Sequence, residues 1–288
     1  MIVGVIGAGR VGAVLGAGLA RAGHTVVAAS GSSPASAARI ARLLPDSAHL
    51  PPVEVAREAT DLLLIAVPDD AIAPLVASLP FQPGQIVAHT SGAQGLAVLE
   101  PAAAQGARPL ALHPAMTFAG TGDDLSRLPG TAYGVTAPPD LRPIATRLVA
   151  DLGGIPEWVA EADRPLYHAA LAQGANHLVT LVNEAADRLR DAGVVRTEAV
   201  LGPLLRAALD NALRDGDAAL TGPVSRGDAG TVARHLEKLA VVAPDSVPAY
   251  VAMARRTADR AIAAGRLRPR DAERLLDVLA NPRQEVQA

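Results

Sequence analysis

Along the first half of the chain, hydrophobic residues fall in short unbroken runs separated by amphipathic stretches. The runs "IVGVI" (2–6), "TVVAA" (25–29), "LLLIAV" (62–67), "QIVAH" (85–89), "PLALH" (109–113) and "AYGVT" (132–136) are of strand length and apolar on successive residues. They predict strands covered on both faces. Val11 to Ala22 has helical spacing and stops at Gly23. Buried strands alternating with helices predict βαβ units and a mostly parallel, doubly wound sheet over residues 1–157. Beyond about residue 157 the spacing becomes helical throughout. Helices are predicted over 163–193, over 197–216 with Thr197 as N-cap, and in "AGTVARHLEKLA", "VPAYVAMARRTADRAIAAG" and "RPRDAERLLDVLA". Residues 158–288 are therefore expected to form an all-α second domain.

Composition narrows the class. A chain of 288 residues has room for two domains of ordinary size. It is 50% hydrophobic and 19% charged, as a globular protein is, and with only 2% aromatics its core must be built from Ala, Val, Leu and Ile. A net charge of -3 offers no electrostatic grip on nucleic acid or an anionic membrane. The absence of cysteine excludes disulfides, thiolate metal sites and a cysteine nucleophile. The seven histidines show no paired ligand spacing, so no metal site is expected. "MIVGVIGAGR" lacks the basic segment of a signal peptide, and the longest apolar run, 62–67, is too short to span a bilayer. A cytoplasmic protein with a small-molecule substrate is expected.

Candidate chemistry begins at "VIGAGRVG". Gly7, Gly9 and Gly12 stand in G-x-G-x-x-G spacing, after a predicted strand and at the start of a predicted helix, the context of a Rossmann-like dinucleotide site. Gly7 would allow the turn, Gly9 the approach of the pyrophosphate, and Gly12 close packing of helix on strand. Ala8, Arg10 and Val11 complete the loop and would offer backbone N–H groups at the helix N-terminus. The second strand ends in "ASGSSP", with Ser30 where an NAD-binding protein carries an acid. Ser30, Ser32 and Ser33 with Arg10 and Arg39 suit a 2′-phosphate, so NADP (NADPH) is the expected cofactor. A deazaflavin is the other hydride carrier considered.

Ligands in open α/β sheets bind beyond the carboxyl ends of the strands. Val67, Pro68 and Asp69 should face the cofactor there, although Asp69 and Asp70 also suit N-caps of the next helix. "AHTSGAQG" places Ser91 and Gly92 at another strand end, as a grip for a substrate carboxylate or the nicotinamide amide. "LHPAMTF" places His113 at a third, as a proton donor. Turn chemistry is the alternative for each.

The succession G-A-G-R-V-G (7–12), A-V-P-D (66–69), H-T-S-G-A (89–93), L-H-P-A-M-T-F (112–118), Y-H-A-A (167–170) and T-G-P-V-S-R-G-D (221–228) resembles a group of bacterial Rossmann-like proteins. Their C-terminal helical domain is of unknown function. The resemblance covers essentially the whole chain. The group looks like a branch of the superfamily of ketopantoate reductases, β-hydroxyacid dehydrogenases and pyrroline-5-carboxylate reductases. It implies NADPH-dependent reduction of a small 2-oxo acid, with ketopantoate as candidate, and a homodimer formed through the helical domain. One departure stands out. Ketopantoate reductases carry Lys-x-x-x-Asn on the first long interdomain helix. Here Asn176 fits the asparagine, but Ala172 holds the lysine's place and the one lysine is Lys238.

An unbroken α-helix would put His168, Ala172 and Asn176 on one stripe of that helix, with Gln173 and Thr180 beside it. Uncharged polar residues on an otherwise apolar helix suit a cleft wall; a hydrogen-bonded core is the alternative. The expected roles are proton donation by His168 with His113 in reserve, polarisation of the carbonyl by Asn176, and a carboxylate grip by Arg226 on the "TGPVSRGD" turn. A histidine's ordinary pKa of about 6.5 suits proton donation near neutrality. Two alternatives are imine (C=N) reduction, which asks less of a missing lysine, and a non-catalytic NADP-binding sensor.

Overall fold

The apolar runs of the first half become the central strands of one eight-stranded sheet in a computed structural model that describes residues 1–280. In chain order the elements are β1 (Ile2–Ile6), α1 (Arg10–Arg21), β2 (Thr25–Ser30), α2 (Pro34–Leu43), β3 (Ala48–His49), α3 (Pro52–Glu58), β4 (Leu62–Ile65), α4 (Asp69–Ser78), β5 (Ile86–His89), α5 (Glu100–Ala103), β6 (Arg108–Pro114), β7 (Ala132–Thr136), α6 (Arg142–Asp151) and β8 (Ile155–Trp158). The sheet order is β3-β2-β1-β4-β5-β6-β7-β8. All neighbours are parallel except β6 and β7. The order reverses at β1 and β4, which opens the crevice where open α/β sheets bind ligands.

Strand β4 shows why the runs are continuous. Leu62 and Leu64 join one core cluster, against α1 and α6, and Leu63 and Ile65 join the other, against α3 and α4. Side chains alternate across a strand, so burial on both faces demands an apolar residue at every position. Each such side chain contributes about 1.5–3 kcal/mol relative to exposure.

Three expectations change. The two-residue edge strand β3 and the edge strand β8 carry no buried apolar run: Ile155 and Trp158 are exposed. They are therefore silent in a hydrophobicity pattern, and β8 carries the sheet up to residue 158. The helix after it is not uniform. It runs as α7 (Arg164–Leu171), a π segment (Ala172–Asn176) and α8 (His177–Asp191). An i→i+5 turn takes in one residue more than an α-turn, which rotates the later turns of the helix by roughly 100°. Asn176 therefore does not keep the angle to His168 that an unbroken α-helix would give. Finally, α9 (Thr197–Asp215) starts at Thr197 with Arg196 in the cap position and no side-chain cap, so Thr197 is the first helical residue and not the N-cap.

The chain forms two compact units, residues 1–175 and residues from Asn176 onward, so α7 belongs to the first. The second unit is helical: α8, α9, α10 (Ala229–Val242), α11 (Val247–Ala263) and α12 (Pro269–Ala280). Its core joins Val232 and Leu236 of α10, Ala254, Ala258 and Ala261 of α11, and Ala272, Leu275 and Leu279 of α12. Asp228 caps α10, its carboxylate accepting the Thr231 N–H at 3.0 Å.

Candidate active site

The glycine turn lies at the switch point. Gly7 has φ +87° and a Cβ there would stand 2.6 Å from the Ala66 carbonyl oxygen beyond β4, so only glycine fits. A Cβ on Gly12 would overlap the Gly7 carbonyl oxygen and stand 2.9 Å from Ala66 Cβ, so this glycine lets α1 press on the strands. Gly9 differs: its nearest neighbour to a Cβ is 3.9 Å away. Gly9 caps α1 without a side-chain bond and no acid occupies the first turn, which leaves the N–H groups of Arg10, Val11 and Gly12 without intrahelical acceptors. Ala8 is wholly buried and Val11 packs against the core, so both contribute backbone. An open backbone at Gly9 beside unpaired N–H groups and a positive dipole end fits a pyrophosphate. The contrast gives a measurable expectation. Gly12→Ala should lose about 1–3 kcal/mol of stability by overpacking, and Gly9→Ala no more than about 0.5 kcal/mol. Urea denaturation of the two variants checks this, and equal losses would refute the packing role of Gly12.

At the end of β2, the Ser30 carbonyl receives the N–H groups of Gly7 and Ala8 at 3.0 and 2.8 Å, tying this strand end to the glycine turn. Ser32 is exposed. Ser33 does different work from that expected: its Oγ accepts the Ser36 N–H at 3.1 Å while Ser36 Oγ accepts the Ser33 N–H at 2.9 Å, a capping box that starts α2. Arg10 and Arg39 both border Gly120, where a Cβ would meet Arg39 Nε at 2.7 Å and Arg10 Cγ at 2.8 Å. Arg42 donates to the Gly120 carbonyl at 2.9 Å. Arg10, Arg39 and Arg42 thus all border Gly120, whose N–H the Asp124 carboxylate accepts at 2.6 Å.

After β4, Val67 packs against the core and against the Gly7 position. The helix α4 is capped by Pro68 with no side-chain bond, so Asp69 and Asp70 do not act as N-caps; they lie in its first turn, where the dipole favours them.

The ends of β5, β6 and β7 meet α7 in a cluster of imidazoles. His89, wholly buried, uses both ring nitrogens: Nε2 donates to the Gly95 carbonyl at 2.8 Å and Nδ1 accepts the Ser91 N–H at 3.2 Å. Burial pushes it down to about 4, with the nearby Arg164 cation adding to the effect, so it is a neutral structural residue. Ser91 is buried as well. Its Oγ accepts the Gln94 N–H at 3.0 Å and its carbonyl accepts from Arg164 at 2.5 Å. Ser91 thus holds the turn through its hydroxyl and its carbonyl. Gly92 is the gap in that turn: a Cβ would stand 2.6 Å from His168 Cδ2 and 3.0 Å from His113 Nε2.

His113 and His168 therefore come together, ring centroids 6.0 Å apart and edge to face. His113 Nδ1 lies 3.0 Å from the Tyr167 hydroxyl. Burial, then Arg164, His168 and His89, push His113 down to about 4, so it carries no proton to spare at pH 7. The expected reserve donor is thus better placed to orient Tyr167. Burial raises Tyr167. A Cβ on Gly134 would stand 2.6 Å from the Tyr167 hydroxyl, so that glycine makes its slot.

Two residues of this site went unremarked in the sequence. Tyr167 lies within a quoted motif but gave no signal of its role. Arg164 is wholly buried, with Nη1 donating to Thr136 Oγ1 at 3.0 Å and to the Gly134 carbonyl at 3.4 Å, and Nη2 to Ser91. It ties α7 to β7 and to the β5 turn. Glu161 completes the tie by accepting the N–H groups of Leu96 and Ala97 at 2.8 and 3.1 Å. Asn176 and Arg226 belong to the second unit, and both are exposed; Arg226 ends a short 3₁₀ turn before Gly227, at φ +72°. Among the described residues, no group of three or more acidic or histidine side chains could hold a metal, and no helix is long and apolar enough to cross a membrane.

A doubly wound sheet with a glycine turn at its switch point defines a Rossmann-like protein, and residues 1–114 match the family model of a Rossmann-like domain. Residues 131–257 match that of a domain of unknown function, DUF2520. The chain is a Rossmann-like protein with a C-terminal DUF2520 domain. No curated protein matches it in sequence. Among solved structures it is similar to Bacteroides fragilis BF3122, described as an NADP oxidoreductase, at 20% identity and TM-score 0.76 over 89% of this chain and 97% of that one. It is similar to a reductive aminase of Aspergillus terreus in complex with NADPH and ethyl-5-oxohexanoate, at 19% identity and TM-score 0.63 over 85% and 86%. It is also similar to 1-pyrroline-5-carboxylate reductase of Streptococcus pyogenes, at 18% identity and TM-score 0.60 over 91% and 98%. At these identities the likeness is one of fold.

Proposed function

We propose that the protein is an NADPH-dependent oxidoreductase that reduces the C=N bond of a small imine. The observation that carries this is a juxtaposition within one unit. An open helix N-terminus and a set of arginines fit a phosphorylated dinucleotide, and the ends of neighbouring strands hold a polar cluster of His113, Tyr167 and His168. The reductive aminase with NADPH and the pyrroline carboxylate reductase share the fold and support the reading.

A bound nicotinamide would supply the hydride. The remaining tasks fall to the chain. The N–H groups of Arg10, Val11 and Gly12 hold the pyrophosphate, and Ser30, Ser32, Arg10 and Arg39 the adenosine end, with Pro68 and Asp69 bordering the crevice. His168 delivers the proton to the reduced substrate. His113, neutral and bonded to Tyr167, fixes that hydroxyl beside it.

An imine is favoured over a 2-oxo acid because the cation nearest the imidazoles, Arg164, is buried and already bound through both terminal nitrogens to three oxygens, its buried Nε alone unpaired. The second reading, reduction of a 2-oxo acid such as ketopantoate, rests on Arg226, an exposed guanidinium on its turn. The active form is proposed to be a cytoplasmic homodimer. Helix α8 has no buried residue, and α9 exposes Val200, Leu204, Leu209 and Leu213, an apolar surface of the kind that marks an interface.

Loss of nicotinamide absorbance with a panel of cyclic imines, ketone–amine mixtures and ketopantoate tests the assignment. Turnover of an imine is expected, with NADPH preferred over NADH by about tenfold or more through the arginine contacts. Turnover of ketopantoate alone would replace the imine by the 2-oxo acid, and tight NADPH binding without turnover of any substrate would make the protein a sensor.

A further inference from the structure

The helical unit contains a cavity of about 480 Å³, in the range of small-molecule sites. Leu181, Ala185, Val224, Leu239, Met253 and Ala254 give it an apolar wall, so its occupant must have an apolar body. Several of its polar groups are already engaged. His235 Nδ1 lies 2.8 Å from the Tyr250 hydroxyl, and the two rings meet edge to face at 6.0 Å. Arg188 donates from Nε to Asp191 at 2.8 Å and from Nη1 to Ser246 Oγ at 3.0 Å, which satisfies its charge. Glu184 stands apart. It lines the cavity, is partly buried, and has no hydrogen-bond or ion-pair partner among the described residues.

A carboxylate withdrawn from water without a partner is costly, and a cation that enters beside it recovers that cost. An aromatic ring, Tyr250, and the polarisable thioether of Met253 on the wall also favour a cation over an anion. We infer that this cavity binds an organic ammonium ion with an apolar tail, its nitrogen donating to Glu184. An anionic or purely apolar ligand would leave the carboxylate unpaired. The inference stands independently of the reductase reading, because it concerns binding alone.

Isothermal titration of the whole protein at neutral pH, with n-hexylammonium, 1-hexanol and hexanoate as probes, tests it without any turnover. Hexylammonium should bind about tenfold or more tighter than hexanol, the margin of one charge-assisted hydrogen bond, and hexanoate should be the weakest. Glu184→Gln should abolish the margin while leaving hexanol unchanged, and its conservative shape preserves the helix. Ala185→Leu, which fills the wall, should weaken hexylammonium and hexanol alike. Three results would overturn the inference: equal affinities for ammonium and alcohol, a preference that survives Glu184→Gln, or no binding of any probe because a second copy of the chain fills the cavity.

Discussion

His168→Ala should lower kcat on the best imine by about 100-fold, within the usual range for loss of a proton donor, and leave the KM for NADPH unchanged. The expectation follows from where α7 sets its side chains. Arg164, bonded to β7 and to the β5 turn, fixes the start of the helix. The missing Cβ of Gly92 then admits the His168 ring next to His113. Tyr167→Phe should cost less, about tenfold, because the hydroxyl is oriented by His113 and does not itself hand over the proton. Unchanged turnover in both would remove α7 from the mechanism. A drop in both with a higher KM for NADPH would mean that α7 supports the cofactor site and not the chemistry.

Arg164 also shows why part of this site was hidden in the sequence. An arginine in the first turn of a helix reads as a solvated charge, and only the fold reveals that the β5 turn and β7 surround it with oxygens. Ser91 and Ser33 show the opposite case. A serine at a strand end suits a ligand or a turn equally well, and only the fold shows the hydrogen bonds from Gln94 and Ser36 that make them turn and cap residues. The glycine loop was legible because each of its requirements is local: a positive φ at Gly7 and no room for a Cβ at Gly12. The central strands were legible because burial on both faces leaves no polar position, and the edge strands β3 and β8 were not, for the converse reason. The π segment left no trace. "AQGAN" satisfies an α-helix and a π turn alike, and no spacing argument could anticipate the phase slip it introduces after His168.

Mild acid should destabilise this protein through the same imidazoles. His89 and His113 are pushed from the ordinary 6.5 down to about 4 in the folded state, burial being the main cause for each. The geometry explains the direction. Protonation of His89 Nδ1 would break its bond from the Ser91 N–H and place a second cation near buried Arg164. In the unfolded chain both rings regain their ordinary basicity. Between pH 6.5 and 4 the unfolded state therefore binds more protons than the folded one, and stability falls as pH falls. Above 6.5 both states are neutral and these groups contribute no slope; below about 4 both are protonated and the slope ends. Two such histidines give a slope approaching ~2.7 kcal/mol per pH unit. The total is at most ~7 kcal/mol, and less where the two titrations are coupled, against a typical stability of about 5–15 kcal/mol. Urea denaturation at pH 7, 6 and 5 should show this loss, and His113→Gln should remove about one proton from the slope. A stability that stays flat from pH 7 to 5 would mean that the imidazoles are solvated, and that the cluster beneath α7 is open to water.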